Sequence, residues 1–198
     1  GGFTLNMQVD QASFDLQGKA IFTDASLSLS RQSQGKTQEG ISFTGHGAGV
    51  RVSNNSTLDV TGDFVAKTDD GARTFHYIER GSTATFNDNV VLENAELSIS
   101  DGLYFSHNSR PAYEGEIADE TQNKAVQGVG GADASQKSQV IAKNDITYSG
   151  AGSRLDIHGS SLTVEGNLTA QDQLSGTFLG ATFAAKGKDK KVDLNNAQ

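Results

Sequence analysis

A chain of 198 residues with a net charge of −8 is acidic overall, whereas phosphate contacts need clustered Lys and Arg, which argues against nucleic acid and an anionic membrane surface as partners. It holds 23 Gly, 1 Pro, no Cys and no Trp, so disulfides and zinc–thiolate sites are excluded. The hydrophobic share of 35% fits an elongated fold with a narrow core, and no apolar run reaches the length needed to insert into a membrane.

In chain order, Phe3-Thr4-Leu5-Asn6-Met7-Gln8-Val9 alternates strictly, the signature of a strand with one buried face. Phe14 and Leu16, then Ile21, then Leu27 and Leu29 continue as short strands with few residues between them. Arg31 to Gly40 is polar and reads as a loop. Gly45-His46-Gly47-Ala48-Gly49 is followed by Val50-Arg51-Val52, a strand rather than the helix a dinucleotide loop requires, so it reads as a tight bend. Asp69-Asp70-Gly71 is a turn signal. Strands resume at Phe75-His76-Tyr77-Ile78, at Ala84-Thr85-Phe86, and at Val90-Val91-Leu92. They continue through Leu97 and Ile99 and through Leu103 and Phe105, and restart at Val140-Ile141.

The alternation is organised in repeats. Ser56-Thr57-Leu58-Asp59-Val60-Thr61-Gly62 is matched by Ser160-Ser161-Leu162-Thr163-Val164-Glu165-Gly166 and by Ala12-Ser13-Phe14-Asp15-Leu16-Gln17-Gly18. A fourth copy begins at Ala95 with one residue inserted before Gly102. Residues 41–66 align with 146–170, Ile41 on Ile146 and Val50-Arg51-Val52 on Leu155-Asp156-Ile157, an offset that implies four or five coils of roughly 20–25 residues. The apolar members Phe14, Leu16, Leu58, Val60, Leu97, Ile99, Leu162 and Val164 are expected to point inward. A strand burying two such side chains cannot fold alone and needs neighbours of its own kind. The glycine lets the chain bend before the next apolar pulse. Strand, bend and strand wind a chain around a narrow core, so the expected fold is all-β, a right-handed parallel β-helix or solenoid, with a β-sandwich as the alternative.

Residues 109–139 break the pattern and are expected to leave the coil as a loop or extruded segment. Glu114, Glu116, Asp119 and Glu120 make this stretch acidic and form a candidate interaction loop. The basic run from Lys186 to Lys191 is expected to lie in solvent. Residues 1–198 read as one β-helix segment of a larger protein, because the chain opens Gly-Gly-Phe and stops at Asn195-Asn196-Ala197-Gln198.

With its Leu58-Asp59-Val60-Thr61-Gly62-Asp63 type of repeat and no Cys, the chain resembles the passenger domains of bacterial autotransporters, the type V secreted β-helices. The resemblance implies a secreted or cell-surface location, delivered through the outer membrane, and a virulence-type role as adhesin, self-association module or structural stalk. The implied partners are a host-cell surface or like copies on neighbouring cells. A toxin subunit binding a host receptor and a polysaccharide lyase or hydrolase are the alternatives.

Catalytic chemistry has little support in the residues. His46, His76, His107 and His158 have no metal-pair spacing and read as solvent-exposed or incidental. No Gly-x-Ser-x-Gly elbow occurs. Asp59, Asp63, Asp156 and Glu165 form a paired-acid site only if the coils bring them together. The expectation is therefore a non-enzyme without cofactor or metal, whose candidate contact face carries Asp59, Thr61, Thr163 and Glu165.

Overall fold

The computed structural model describes residues 6–69, 71–102, 137–185 and 192–194. Short strands follow one another in groups of three. They are β1 (Met7–Asp10), β2 (Ser13–Leu16) and β3 (Ala20–Thr23), then β4 (Ser26–Ser30), β5 (Gln34–Thr37) and β6 (Ile41–Thr44). Next come β7 (Gly49–Val52), β8 (Thr57–Val60) and β9 (Phe64–Lys67), then β10 (Thr74–Glu79), β11 (Thr83–Phe86) and β12 (Val90–Glu93). The later groups are β13 (Ala95–Ser100), β14 (Gln139–Ala142) and β15 (Ile146–Ser149), then β16 (Arg154–His158), β17 (Ser161–Val164) and β18 (Leu168–Ala170). The last is β19 (Ser175–Leu179), β20 (Thr182–Ala185) and β21 (Val192–Leu194).

Every third strand joins the same sheet, which gives three seven-stranded sheets: A from β1 to β19, B from β2 to β20 and C from β3 to β21. All pairings are parallel, as in β8 on β11 and β12 on β15. Parallel neighbours need a crossover between them, and here the other two sheets of the coil supply it. The fold is a β-solenoid, as expected, and the β-sandwich alternative falls because sandwiches are built from antiparallel pairs. No helix occurs among the described residues.

The core is built in columns. Leu58 and Val60 continue upward as Ala84 and Phe86, then Val140 and Ala142, then Leu162 and Val164. Leu58, Val60, Leu97, Ile99, Leu162 and Val164 are all buried, as their alternation predicts. Phe14 and Leu16 face the same way but are only partly buried; among the described residues their strand, β2, pairs with β5 alone. Aromatic rings concentrate in coils one to four. Phe22 stacks on Phe43 at 5.1 Å, and Phe64 meets Phe86 at 4.8 Å.

Several expectations are corrected by this register. The stretch from Arg31 to Gly40 holds β5, not a loop throughout. Gly35 and Thr37 occupy the inward positions there, and an added Cβ on Gly35 would lie 2.5 Å from the Phe14 ring, which fills the space. Pairing on both edges overrides the polar composition. Ile21 lies on the outer face and is 67% exposed, while Phe22 packs against the core.

The copy beginning at Ala95 is not equivalent to the other three. Ala95–Ser100 belongs to sheet A, whereas the strands at Ser13, Thr57 and Ser161 belong to sheet B. Ile41, Phe64, Val90 and Ile146 form one column, so three coils, not four or five, separate the two long repeats. The extra length falls between β13 and β14, within one coil. The expected strand at Leu103 and Phe105, most of the 109–139 segment and the Lys186–Lys191 run lie outside the described residues. Ser138 and Gln139, at the end of that segment, belong to the coil.

Candidate functional site

The polar residues proposed as a contact face do share a surface. Asp59 and Thr163 stand in one outward column of sheet B, through Thr85 and Ile141. Thr61 and Glu165 are exposed at the corner that follows, two coil-equivalent positions. Asn87 fastens the Asp59 end: its Nδ2 donates to Asp59 Oδ1 at 2.6 Å and to Thr61 Oγ1 at 3.3 Å. Glu114, Glu116, Asp119 and Glu120 lie outside the described residues.

The four acids considered for chemistry do not come together. Asp59 is on sheet B, Asp63 and Glu165 are in the corners after it, and Asp156 is on sheet A. Among the described residues no group of three or more His, Asp and Glu is placed to hold a metal ion.

Sheet A carries what the sequence left unseen. In β13 and β16 the outward residues Glu96, Ser98, Ser100, Asp156 and His158 are buried along with the inward ones. Two buried carboxylates are each matched by an arginine. Arg73 Nη1 donates to Glu96 Oε2 at 3.3 Å, and Arg154 Nε and Nη2 donate to Asp156 at 2.5 and 2.9 Å. Thr177 N–H adds a bond to Asp156 Oδ1 at 2.9 Å. Glu96 Oε1 is buried with no hydrogen-bond partner. Burial, helped by the Asp156 charge, pushes the Glu96 pKa up. Burial likewise raises Tyr77, with Glu96 as the next cause. Alternation marks such residues as outward but cannot mark them as buried.

The histidines divide. His46 is exposed, as expected. His76 is not: it points inward between Phe43 and Phe64, 5.3 and 5.1 Å from their rings, with Nε2 3.0 Å from Thr74 Oγ1. Burial lowers its pKa to about 3, so it is neutral in the fold. His158 is also buried. The inward phase of β10 places Thr74, His76 and Ile78 inside, and so turns Phe75 and Tyr77 outward.

Beside these two outward rings lies a groove of about 390 Å³ on the outer face of sheet A. Ser26 and Ser28 of β4 line one side and Phe75 and Tyr77 of β10 the other. Between them β7 presents Gly49 and Arg51, opposite Ser26 and Ser28 in register. Gly49 supplies no side chain to the outer column, and a Cβ built there would overlap the Phe75 carbonyl oxygen. Gly47, in the bend between β6 and β7, lies at the rim, and the glycine-rich stretch turns the chain as expected.

The two aromatic rings have centroids 6.3 Å apart, and their planes are inclined by 13°. The Arg51 guanidinium carbon lies 5.2 Å from the Tyr77 ring centre, and Arg51 Nε lies 3.3 Å from Glu79 Oε1. A signal for this groove was present in Phe75-His76-Tyr77-Ile78, where strict alternation fails. Sequence alone did not say which parity faces in. Against protein-family models, curated proteins and solved structures, the chain gives no match.

Proposed function

We propose that this chain is a non-catalytic binding segment of a secreted or surface-displayed protein of the autotransporter-passenger kind, acting in attachment to a cell surface or to like copies. The observation that carries the reading is the flat outer face of sheet B, where Asp59 and Thr163 share one column and Thr61 and Glu165 occupy matching corners. Seven strands at about 4.8 Å spacing make a stiff face roughly 30 Å long. Hydrogen bonds from such a face contribute about 0.5–1.5 kcal/mol each, so one copy binds weakly. Many copies on one surface bind tightly, because each contact raises the effective concentration for the next.

The test displays the parent protein on cells and replaces Asp59, Thr61, Thr163 and Glu165 with alanine, after circular dichroism has shown an intact fold. Loss of clumping or host-cell attachment is the expected result. Attachment and clumping equal to the unmodified protein make this face a spacer and overturn the reading.

A further inference from the structure

We infer that the groove over Gly49 on sheet A is a binding site for a neutral carbohydrate chain. Its surface matches the two-sided chemistry of a pyranose ring, which has apolar C–H faces and a rim of hydroxyls. Phe75 offers a ring edge and face for the apolar side, and beside it Tyr77 carries the Arg51 guanidinium over its ring, 5.2 Å from the ring centre. Ser26 and Ser28 place hydroxyls across the groove, within reach of the rim. Arg51 lines the groove and presents guanidinium N–H donors to it, while its Nε lies 3.3 Å from Glu79 Oε1.

The occupant follows from what surrounds the groove. Strand β7 is paired on both edges, to β4 and to β10, so a peptide cannot join here as an added strand. Recognition falls to side chains. The Arg51 charge is balanced by Glu79, and the chain carries −8 overall, so an anionic polymer gains nothing. A volume of about 390 Å³ lies near the lower end of the range for small-ligand sites and fits one or two sugar rings. The groove opens along the sheet face, so a longer chain can pass through it.

This inference gives a ligand class to the proposed attachment role but stands on different residues from the sheet B face. It is tested without cells. Isotope-labelled protein, full chain, is titrated into the tens of millimolar with maltohexaose, cellohexaose, laminarihexaose and chitohexaose while amide shifts are followed by NMR. The expected result is saturable shifts at Ser28, Gly49, Arg51 and Tyr77 with at least one of the four. Phe75→Ala and Ser28→Tyr, the second filling the groove from an outward position, should each weaken that affinity tenfold or more. Thr163→Ala on sheet B should leave it unchanged. If Phe75→Ala fails to fold, Ser28→Tyr alone decides. No groove shifts with any of the four sugars, or binding that survives Ser28→Tyr, overturns the inference. So does tighter binding of a polyanion such as heparin at the same residues. Loss of cell attachment on sheet B replacement with sugar binding intact separates the two readings.

Discussion

The backbone N–H of Ser56 donates to the hydroxyl of Ser82, 26 residues further along the chain, at 3.2 Å. The same bond links Ser33 N–H to Ser56 Oγ at 3.1 Å and Ser138 N–H to Ser160 Oγ at 3.1 Å. Gly81 N–H donates to Ser138 Oγ, so the ladder passes across the long coil as well. All five serines are buried at the corner between sheets A and B. Each hydroxyl satisfies a backbone donor from the coil before it, which a turn shut off from water otherwise leaves unpaired. Ser56→Ala leaves the Ser33 N–H without its acceptor and is expected to destabilise by about 1–3 kcal/mol. Urea denaturation measures it, and a midpoint within error of the unmodified protein would remove the ladder from the account of stability.

Leu58 is buried in its column, whereas Asp59, next to it, faces outward and accepts a bond from Asn87. Leu58→Asp places an unpaired carboxylate in the core and is expected to cost about 4 kcal/mol or more. Asp59→Leu loses one exchangeable hydrogen bond, about 1 kcal/mol. Equal shifts in denaturation midpoint from the two variants would contradict the packing described above.

His76 makes the core sensitive to acid. Its folded pKa, about 3, lies below the ordinary value of 6.5. Above pH 6.5 both folded and unfolded forms are neutral and this group adds no pH dependence. Below pH 6.5 the unfolded chain takes up a proton that the folded core refuses, so stability falls by about 1.4 kcal/mol per pH unit until pH nears the folded value. Between pH 6.5 and 5 that is about 2 kcal/mol. His76→Leu should remove this slope, read as the difference between wild-type and variant unfolding free energies at pH 7 and pH 5. A slope unchanged in the variant would assign the acid sensitivity elsewhere.

The repeat glycines are not interchangeable. Gly62 has φ +83° and lies against the backbone of Gly40, so Gly62→Ala is strained twice over. A Cβ on Gly166 would overlap the Asn144 backbone although its φ is ordinary. Gly18 has open space around it and an ordinary φ. Gly18→Ala is therefore expected to be neutral or stabilising by about 0.4–1 kcal/mol, and Gly62→Ala destabilising by more than 1 kcal/mol. Thermal melts of the two variants check the contrast, and a reversed order would show that the first corner is packed differently.

Sequence alternation by itself determined that Leu58, Val60, Leu162 and Val164 line one face of short strands and that those strands need neighbours; it favoured a solenoid, and the parallel pairing in the structure removed the β-sandwich. Period two is a local property of an extended backbone, and it survives any context that buries one face. Which strands stack on which was decided only by the tertiary structure. Ala95 to Ser100 alternates as well as Ser56 to Val60 does, yet it lies in another sheet, because the register of a coil depends on corners far from the strand. Those corners include non-glycine residues with positive φ, such as Arg31, Gln32 and Arg80, whose side chains announce no turn. The Gln34–Thr37 strand was likewise invisible, since its place is held by ladder bonds on both edges and by the Phe14 ring over Gly35. The candidate groove was hidden for the same reason. Phe75 and Tyr77 look like core until His76 and Ile78 are seen to take the inward positions, and that choice of phase belongs to the columns above and below, not to β10.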